Sequence, residues 1–317
     1  IRDSYCPDAF LINLSNPMSR VTLAINEGTD VRNVGMCHEM PIGVVRIGRL
    51  LRMDPSRIDA KASGINHFTF FTEMRDRRTG EDLIPRVKAL FAKPFFDYSP
   101  RTVGVVKRTM RWPALAALAD QLYSPVVAHV VRTYGIVPCS VDSHIGEYLP
   151  FATDIGTYHP DPVDIFEGID RLTERLANRA VDTSLPLPAK WIGHSLEEVV
   201  PIIAAMWTGR PADILAVNVP NDGYLPNVAD GAIVEVPAVV DGDGLHPEEM
   251  PPIVEPIAGY IATQVELQDL IVESALTGDP DLALRALIAD PNSPPDEQAC
   301  REMFDELMTL QAAELPF

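Results

Sequence analysis

The sequence predicts an α/β fold: the end of a parallel sheet, then a mixed α+β portion that finishes in helices. Three observations carry that prediction. An apolar run, Ala9 to Leu14, stands near the start. Strand-like and helix-like segments then alternate, and the last periodic segments are helical. An apolar strand covered on both faces is what a parallel sheet requires.

Taken in order, Ala9 to Leu14 reads as a buried strand that ends in polar Ser15-Asn16 before Pro17, with helical material from Ser19. "NVGMC" is a short second strand. "PIGVVRIGRLLR" is a helix with Pro41 in its first turn and apolar Val44, Ile47, Leu50 and Leu51. "GINHFTFFTEM", rich in aromatics and threonine, reads as a strand, and "DRRTGED" as a turn toward "LIPRV". "PALAALADQLYSPVVAHVVRTYG" is a long helix interrupted at Pro125 and stopped by Gly135. "VPCSVDSHIGEYLPF" reads as a polar loop. "LEEVVPIIAAMWTG" is a helix ending at Gly209, and "ADILAVNVPNDG" a strand ending in a polar turn. "GAIVEVPAVVDGDGLHP" is extended, with a turn at DGDG. Two helices close the chain, "VELQDLIVESALTG" and "DPDLALRALIAD", the second with Asp279 as cap and Pro280 at its first position.

The 317 residues suffice for one large domain or two modest ones. Forty-five acidic against 26 basic residues give a formal charge of −19, which repels phosphate backbones and anionic lipid, so neither nucleic acid nor a membrane is expected as partner. Cys6, Cys37, Cys139 and Cys300 are scattered without CxxC spacing, which argues against a disulfide framework and for a reducing, cytoplasmic setting. The opening "IRDSYCPDAF" has no apolar core and is not expected to be a secretory signal. No GxGxxG pyrophosphate-binding turn occurs, yet "FLINLSNP" has the polar carboxyl end of a later strand in such a sheet. The expectation is a chain that begins partway through a domain.

Two polar breaks stand out. Cys37 and His38 lie side by side before Pro41, and His67 interrupts "ASGINHFTFF". By residue type alone these are metal ligands, a nucleophile with its base, or nothing functional.

Seven segments in order, "INLSNPMSRVT", "VGMCHE", "SGINHFTFF", "SHIGEYLPF", "VNVPNDGYLPN", "AIVEVPAVVDGDGLHP" and "VESALTGDPDLALRALIADP", resemble glycoside hydrolase family 4. That family hydrolyses glycosides with NAD and a divalent metal, usually manganese, rather than with two carboxylates. The resemblance implies an oxidation–elimination route. Hydride leaves sugar C3 for NAD, the ketone acidifies the C2 proton, a base removes it, the glycosidic oxygen leaves, water adds and C3 is reduced again. It also implies the Rossmann-like fold shared with lactate and malate dehydrogenases. Residues 1–36 would then be the end of a truncated dinucleotide-binding domain, and 37–317 a catalytic and metal-binding domain. The main NAD-binding part is expected to be absent, and a homo-oligomer is expected.

Residue by residue, Cys37 and His67 match the family's metal ligands, although a thiolate is softer than manganese prefers. For Cys37 the alternative is a small buried core residue. His38 stands where the family varies with substrate. Asp there accompanies phosphorylated α-glucosides, Asn phosphorylated β-glucosides, and His unphosphorylated α-glucosides, galactosides and uronides. His38 is thus a candidate acid for the leaving group or a hydroxyl-binding residue, with helix capping as the alternative. Asn16 matches an asparagine that touches the sugar, or serves as a turn residue before Pro17. Asn66 reads as a local backbone-binding residue. For the base the candidates are Asp142, which is favoured, and Tyr134, with His144 adjacent as a substrate-binding residue. Phe68, Phe70 and Phe71 read as core. Two other functions compete. A 2-hydroxy-acid dehydrogenase needs no metal and is disfavoured by the "MCHE…GINH" pair, and a non-catalytic metal-binding remnant remains open.

Overall fold

The computed structural model describes residues 6, 8–93, 124–155 and 198–315. It opens by alternating strand and helix: β1 (Leu11–Asn13), α1 (Met18–Gly28), β2 (Asn33–Gly35), α2 (Glu39–Leu51). A hairpin follows, β3 (Ile58–Ile65) and β4 (Phe68–Asp76), then α3 (Ile84–Phe91). After the undescribed stretch come α4 (Pro125–Tyr134), β5 (Val137–Pro138), and the short helical turns α5 (Asp142–Ile145), a 3-10 turn (Gly146–Tyr148) and α6 (Ala152–Ile155). The remainder is α7 (Val199–Thr208), β6 (Ala212–Pro220), β7 (Ile233–Asp241), β8 (Gly244–Pro247), α8 (Ile257–Thr277), α9 (Pro280–Ala289) and α10 (Glu297–Leu310).

The strands form one sheet in the order β1-β2-β6-β7-β3-β4-β5. Among the described residues only β1 and β2 run parallel; the other pairings are antiparallel. β3 meets the first half of one edge of β7, and β8 meets the second half through the DGDG turn. The sheet continues across the expected division at residue 36, because Gly35 of β2 pairs with Asn218 of β6. That crossing is tight: a Cβ on Gly35 would stand 2.7 Å from both the Met18 sulfur and the Thr22 hydroxyl. Phe68, Phe70 and Phe71 are buried in the core with Ile65 and Met74, as their aromatic run suggests.

Several expectations are corrected. The strand at Ala9 to Leu14 shortens to Leu11–Asn13 and is not covered on both faces: Leu11 is 38% and Leu14 49% exposed. The reason is position. Among the described residues β1 pairs only with β2 and is the edge of the sheet. "GINHFTFFTEM" is not one strand but the two arms of a hairpin that turns at Asn66-His67. The polar loop after Pro138 contains short helical turns. α8 starts at Ile257 rather than Val265, and α10 is an unanticipated further helix, capped by the Asp296 carboxylate on the Gln298 N–H at 3.2 Å. The first half of the long helix predicted around Pro125 lies outside the described residues. Its second half is α4, which begins at Pro125 and stops at Gly135 with φ +69°, as predicted.

Candidate active site

Cys37 and His38 form the link between β2 and α2. The backbone runs from Gly35 through buried Met36 to buried Cys37, and exposed His38 sits at the cap position of α2 without a side-chain capping bond. His67 comes from the opposite direction, in the two-residue turn of the β3–β4 hairpin, where its φ of +66° is unusual for a residue with a side chain. Two hydrogen bonds hold this turn. The Asn66 side-chain amide donates to Glu235 Oε2 at 3.0 Å, and the Tyr148 hydroxyl donates to the Asn66 carbonyl at 2.9 Å. Asn66 therefore binds a carboxylate through its side chain, and not the backbone as predicted.

His144, on α5, completes the wall. Its ring stacks on that of His67, with centroids 4.2 Å apart and 15° between planes. Its Nδ1 lies 4.0 Å from Glu39 Oε1, too far for a direct hydrogen bond. The two histidines stand between two cavities. The larger, about 420 Å³, is also lined by Asn16, Arg20, Tyr148 and Gln264. The smaller, about 60 Å³, contains Cys37, His38, Glu39 and Arg46 on its walls. Five predicted residues, Asn16, Cys37, His38, His67 and His144, thus meet around one partition.

Burial sets the protonation of this wall. His67 is lowered to about 4 by burial, then by the neighbouring His144 and His38, so its ring is neutral at pH 7 with a lone pair to offer. Burial and the charge of Glu235 push the Cys37 thiol up to about 12. Glu39 rises to about 8, again through burial first and Glu235 second. Two buried carboxyl groups, Glu39 and Glu235, therefore sit behind a thiol and an imidazole.

Two candidates lie elsewhere. Asp142 accepts hydrogen bonds from the Val126 and Val127 N–H groups at 3.0 and 2.9 Å, so its carboxylate caps the start of α4. Tyr134 sits at the far end of α4 beside Tyr260, and neither residue lines either cavity. Sequence reasoning missed Glu39, Glu235, Tyr148 and Gln264 as members of the site. The signal for Glu235 was present: a lone carboxylate inside the apolar run "AIVEVPAVV" is a buried charge in need of a reason.

Comparison with known proteins decides the family. The model for the family 4 glycosyl hydrolase C-terminal domain matches residues 62–293, and that for family 4 glycosyl hydrolase matches residues 2–52. The chain belongs to glycosyl hydrolase family 4. Within the family it is 28% identical over 303 residues to an α-glucosidase of Erwinia rhapontici, covering 90% of this chain and 63% of that protein. It is 29% identical to an α-galactosidase of Rhizobium meliloti, covering 100% and 62%. This family 4 chain therefore spans less than two thirds of the length of those relatives. Its fold is shared with a 6-phospho-α-glucosidase from gut microorganisms solved with NAD and Mn2+, at a TM-score of 0.75 and 21% identity, covering 100% of this chain and 70% of the other. No helix among the described residues is long and apolar enough to cross a membrane.

Proposed function

We propose that this chain is the sugar- and metal-binding part of a cytoplasmic, homo-oligomeric glycosidase that hydrolyses unphosphorylated α-glycosides by oxidation and elimination, using NAD and a divalent metal, manganese first. One observation carries the reading: Cys37, His67 and His144 share a partition that opens on a polar cavity reached by Asn16. Two of the lining groups, the His67 imidazole and the Cys37 thiol, are of the types that ligate a divalent cation. A neutral imidazole and a thiol line one small cavity together with Glu39. No group of three or more such side chains among the described residues is arranged to hold a metal. Cys37 and His67 would be its protein ligands, leaving positions for sugar hydroxyls and water. The bound metal supplies Lewis acidity at the sugar C2 and C3 oxygens. NAD does not fit in the same way, since these residues contain no GxGxxG turn.

The chain's own residues then divide the work. Asn16 and Gln264 reach the larger cavity with amides suited to sugar hydroxyls, and the Gln264 Nε2 has no partner. His38 handles the leaving oxygen from the smaller cavity. His144, stacked in the wall, takes the C2 proton in place of Asp142, whose two oxygens are occupied by the helix. Among the described residues the larger cavity has one guanidinium, Arg20, and the Glu147 carboxylate lies near it, which favours a neutral sugar over a phosphate dianion.

The test joins this chain to the nucleotide-binding half of a family 4 relative and follows turnover in deuterated water. Deuterium should enter C2 of the product, and His144→Ala should slow that entry roughly 100-fold or more, the scale of a lost general base, with metal content intact. Asp142→Asn should leave entry unchanged. Loss with Asp142→Asn alone would restore Asp142 as base, and faster turnover of a 6-phosphoglycoside than of its parent would overturn the substrate class.

A further inference from the structure

Glu235 lies within β7, 1% exposed, where it pairs with Gly64 of β3 on one side and Asn218 of β6 on the other. Its Oε2 accepts from the side-chain amides of Asn66 at 3.0 Å and Asn218 at 2.9 Å. The same Asn218 amide lies 3.5 Å from the Gly35 carbonyl. One oxygen thus reaches the turn that presents His67 directly, and through Asn218 the strand end that leads into Cys37. Its other oxygen, Oε1, has no partner.

A tie alone does not need a charge. A neutral acceptor of the same shape would serve both amides, and an ionised carboxylate costs several kcal/mol to bury. Among the described residues no Lys, Arg or His forms an ion pair with Glu235. The nearby buried cation, Arg46, donates to the Pro138 carbonyl at 3.0 Å, and the charges that act on it are those of Cys139, Asp142 and Glu39. A dication bound at Cys37 and His67 would supply the counter-charge that Glu235 lacks among the described residues.

We propose that Glu235 is the outer carboxylate of a divalent-cation site at Cys37 and His67: it fixes the two ligand-bearing segments to each other and supplies charge that the cation balances. This rests on Cys37 and His67 being the ligands. Glu235 is a positioning residue, since it reaches the ion only through other groups. Partners of this kind are worth about 10–100-fold in metal affinity.

The test titrates cobalt(II) into the full chain and reads the thiolate-to-cobalt charge-transfer band, with thermal melting of the apo-protein alongside. Glu235→Gln keeps the shape and an acceptor oxygen but loses the charge. It should melt at least as high as the unmodified apo-protein and bind cobalt about 10–100-fold more weakly. Glu235→Asp, which keeps the charge with a shorter reach, should recover part of that affinity. Equal cobalt affinity in all three proteins would overturn the inference, as would a Gln variant that loses melting temperature but no affinity. Should Glu235→Gln fail to fold, Asp binding no better than a Cys37→Ser control would also overturn it. An unmodified chain without the band would remove Cys37 as ligand, and the inference with it.

Discussion

Asp142 shows how a side chain's place in the fold overrides its place in the sequence. Its carboxylate belongs to the start of α4, sixteen and fifteen residues earlier in the chain at Val126 and Val127. Removing an N-terminal cap costs about 1 kcal/mol, and Asp142→Asn, which keeps one acceptor, should lower stability by that order. The pH dependence has a definite sign. Burial raises Asp142 to about 6, against the pull of those two N–H groups. A carboxyl raised on folding favours the folded state most below its unfolded value near 4, and that contribution is lost as pH rises through 6. Urea titrations between pH 4 and 7 should therefore show a smaller decline in Asp142→Asn than in the unmodified chain, and parallel curves would remove Asp142 from the account. The Cys37 and His67 motifs are legible as local strings because each stands at a break between apolar runs. The role of Asp142 is not, because nothing near it names the helix end it serves. Glu39 is intermediate: it is visible in "CHE", but its burial comes from groups distant in the sequence, among them His144, whose Nδ1 lies 4.0 Å away.

At the scale of elements, the β3–β4 hairpin governs where His67 points. The sequence has no Asn-Gly or Asp-Gly at the turn, which is why the segment reads as one strand. Gly64 is the backbone feature that makes the alternative work. Its φ is +154°, and a Cβ there would run into the Phe68 carbonyl oxygen and stand 2.9 Å from the Thr69 Cα. Gly64→Ala should cost about 1–3 kcal/mol, the scale of overpacking, in urea unfolding. It should also weaken cobalt binding by shifting the turn. A stable Gly64→Ala chain with unchanged cobalt affinity would show that the turn is not held by this contact. Helices with an Asp-Pro start or a Gly stop, such as α9 and α4, are legible because their boundaries are written in single residues. α8 is not: its first turn follows Pro256 with no capping side chain, and its amphipathic signal is weak because polar Gln264 and Gln268 are buried.

For the whole molecule, the broad class survives where the details fail. A parallel pair leading into an antiparallel sheet with helices is the α/β and mixed architecture that the order of segments predicts. What composition cannot convey is which strand ends up at the margin, since that depends on neighbours and not on the strand's own residues. The consequence for β1 concerns the behaviour of the isolated chain in solution. Its outer side has no strand partner among the described residues, and Leu11 and Leu14 face water. A margin of that kind is a template for strand addition. The isolated chain should self-associate as its concentration rises, in spite of a charge of −19 that would otherwise keep copies apart. Lysines at both positions, Leu11→Lys and Leu14→Lys, should abolish the concentration dependence of light scattering without moving the cobalt affinity. Scattering that persists would locate the adhesive surface away from β1. If it vanishes, two charges at the sheet's margin are enough to keep this chain dispersed.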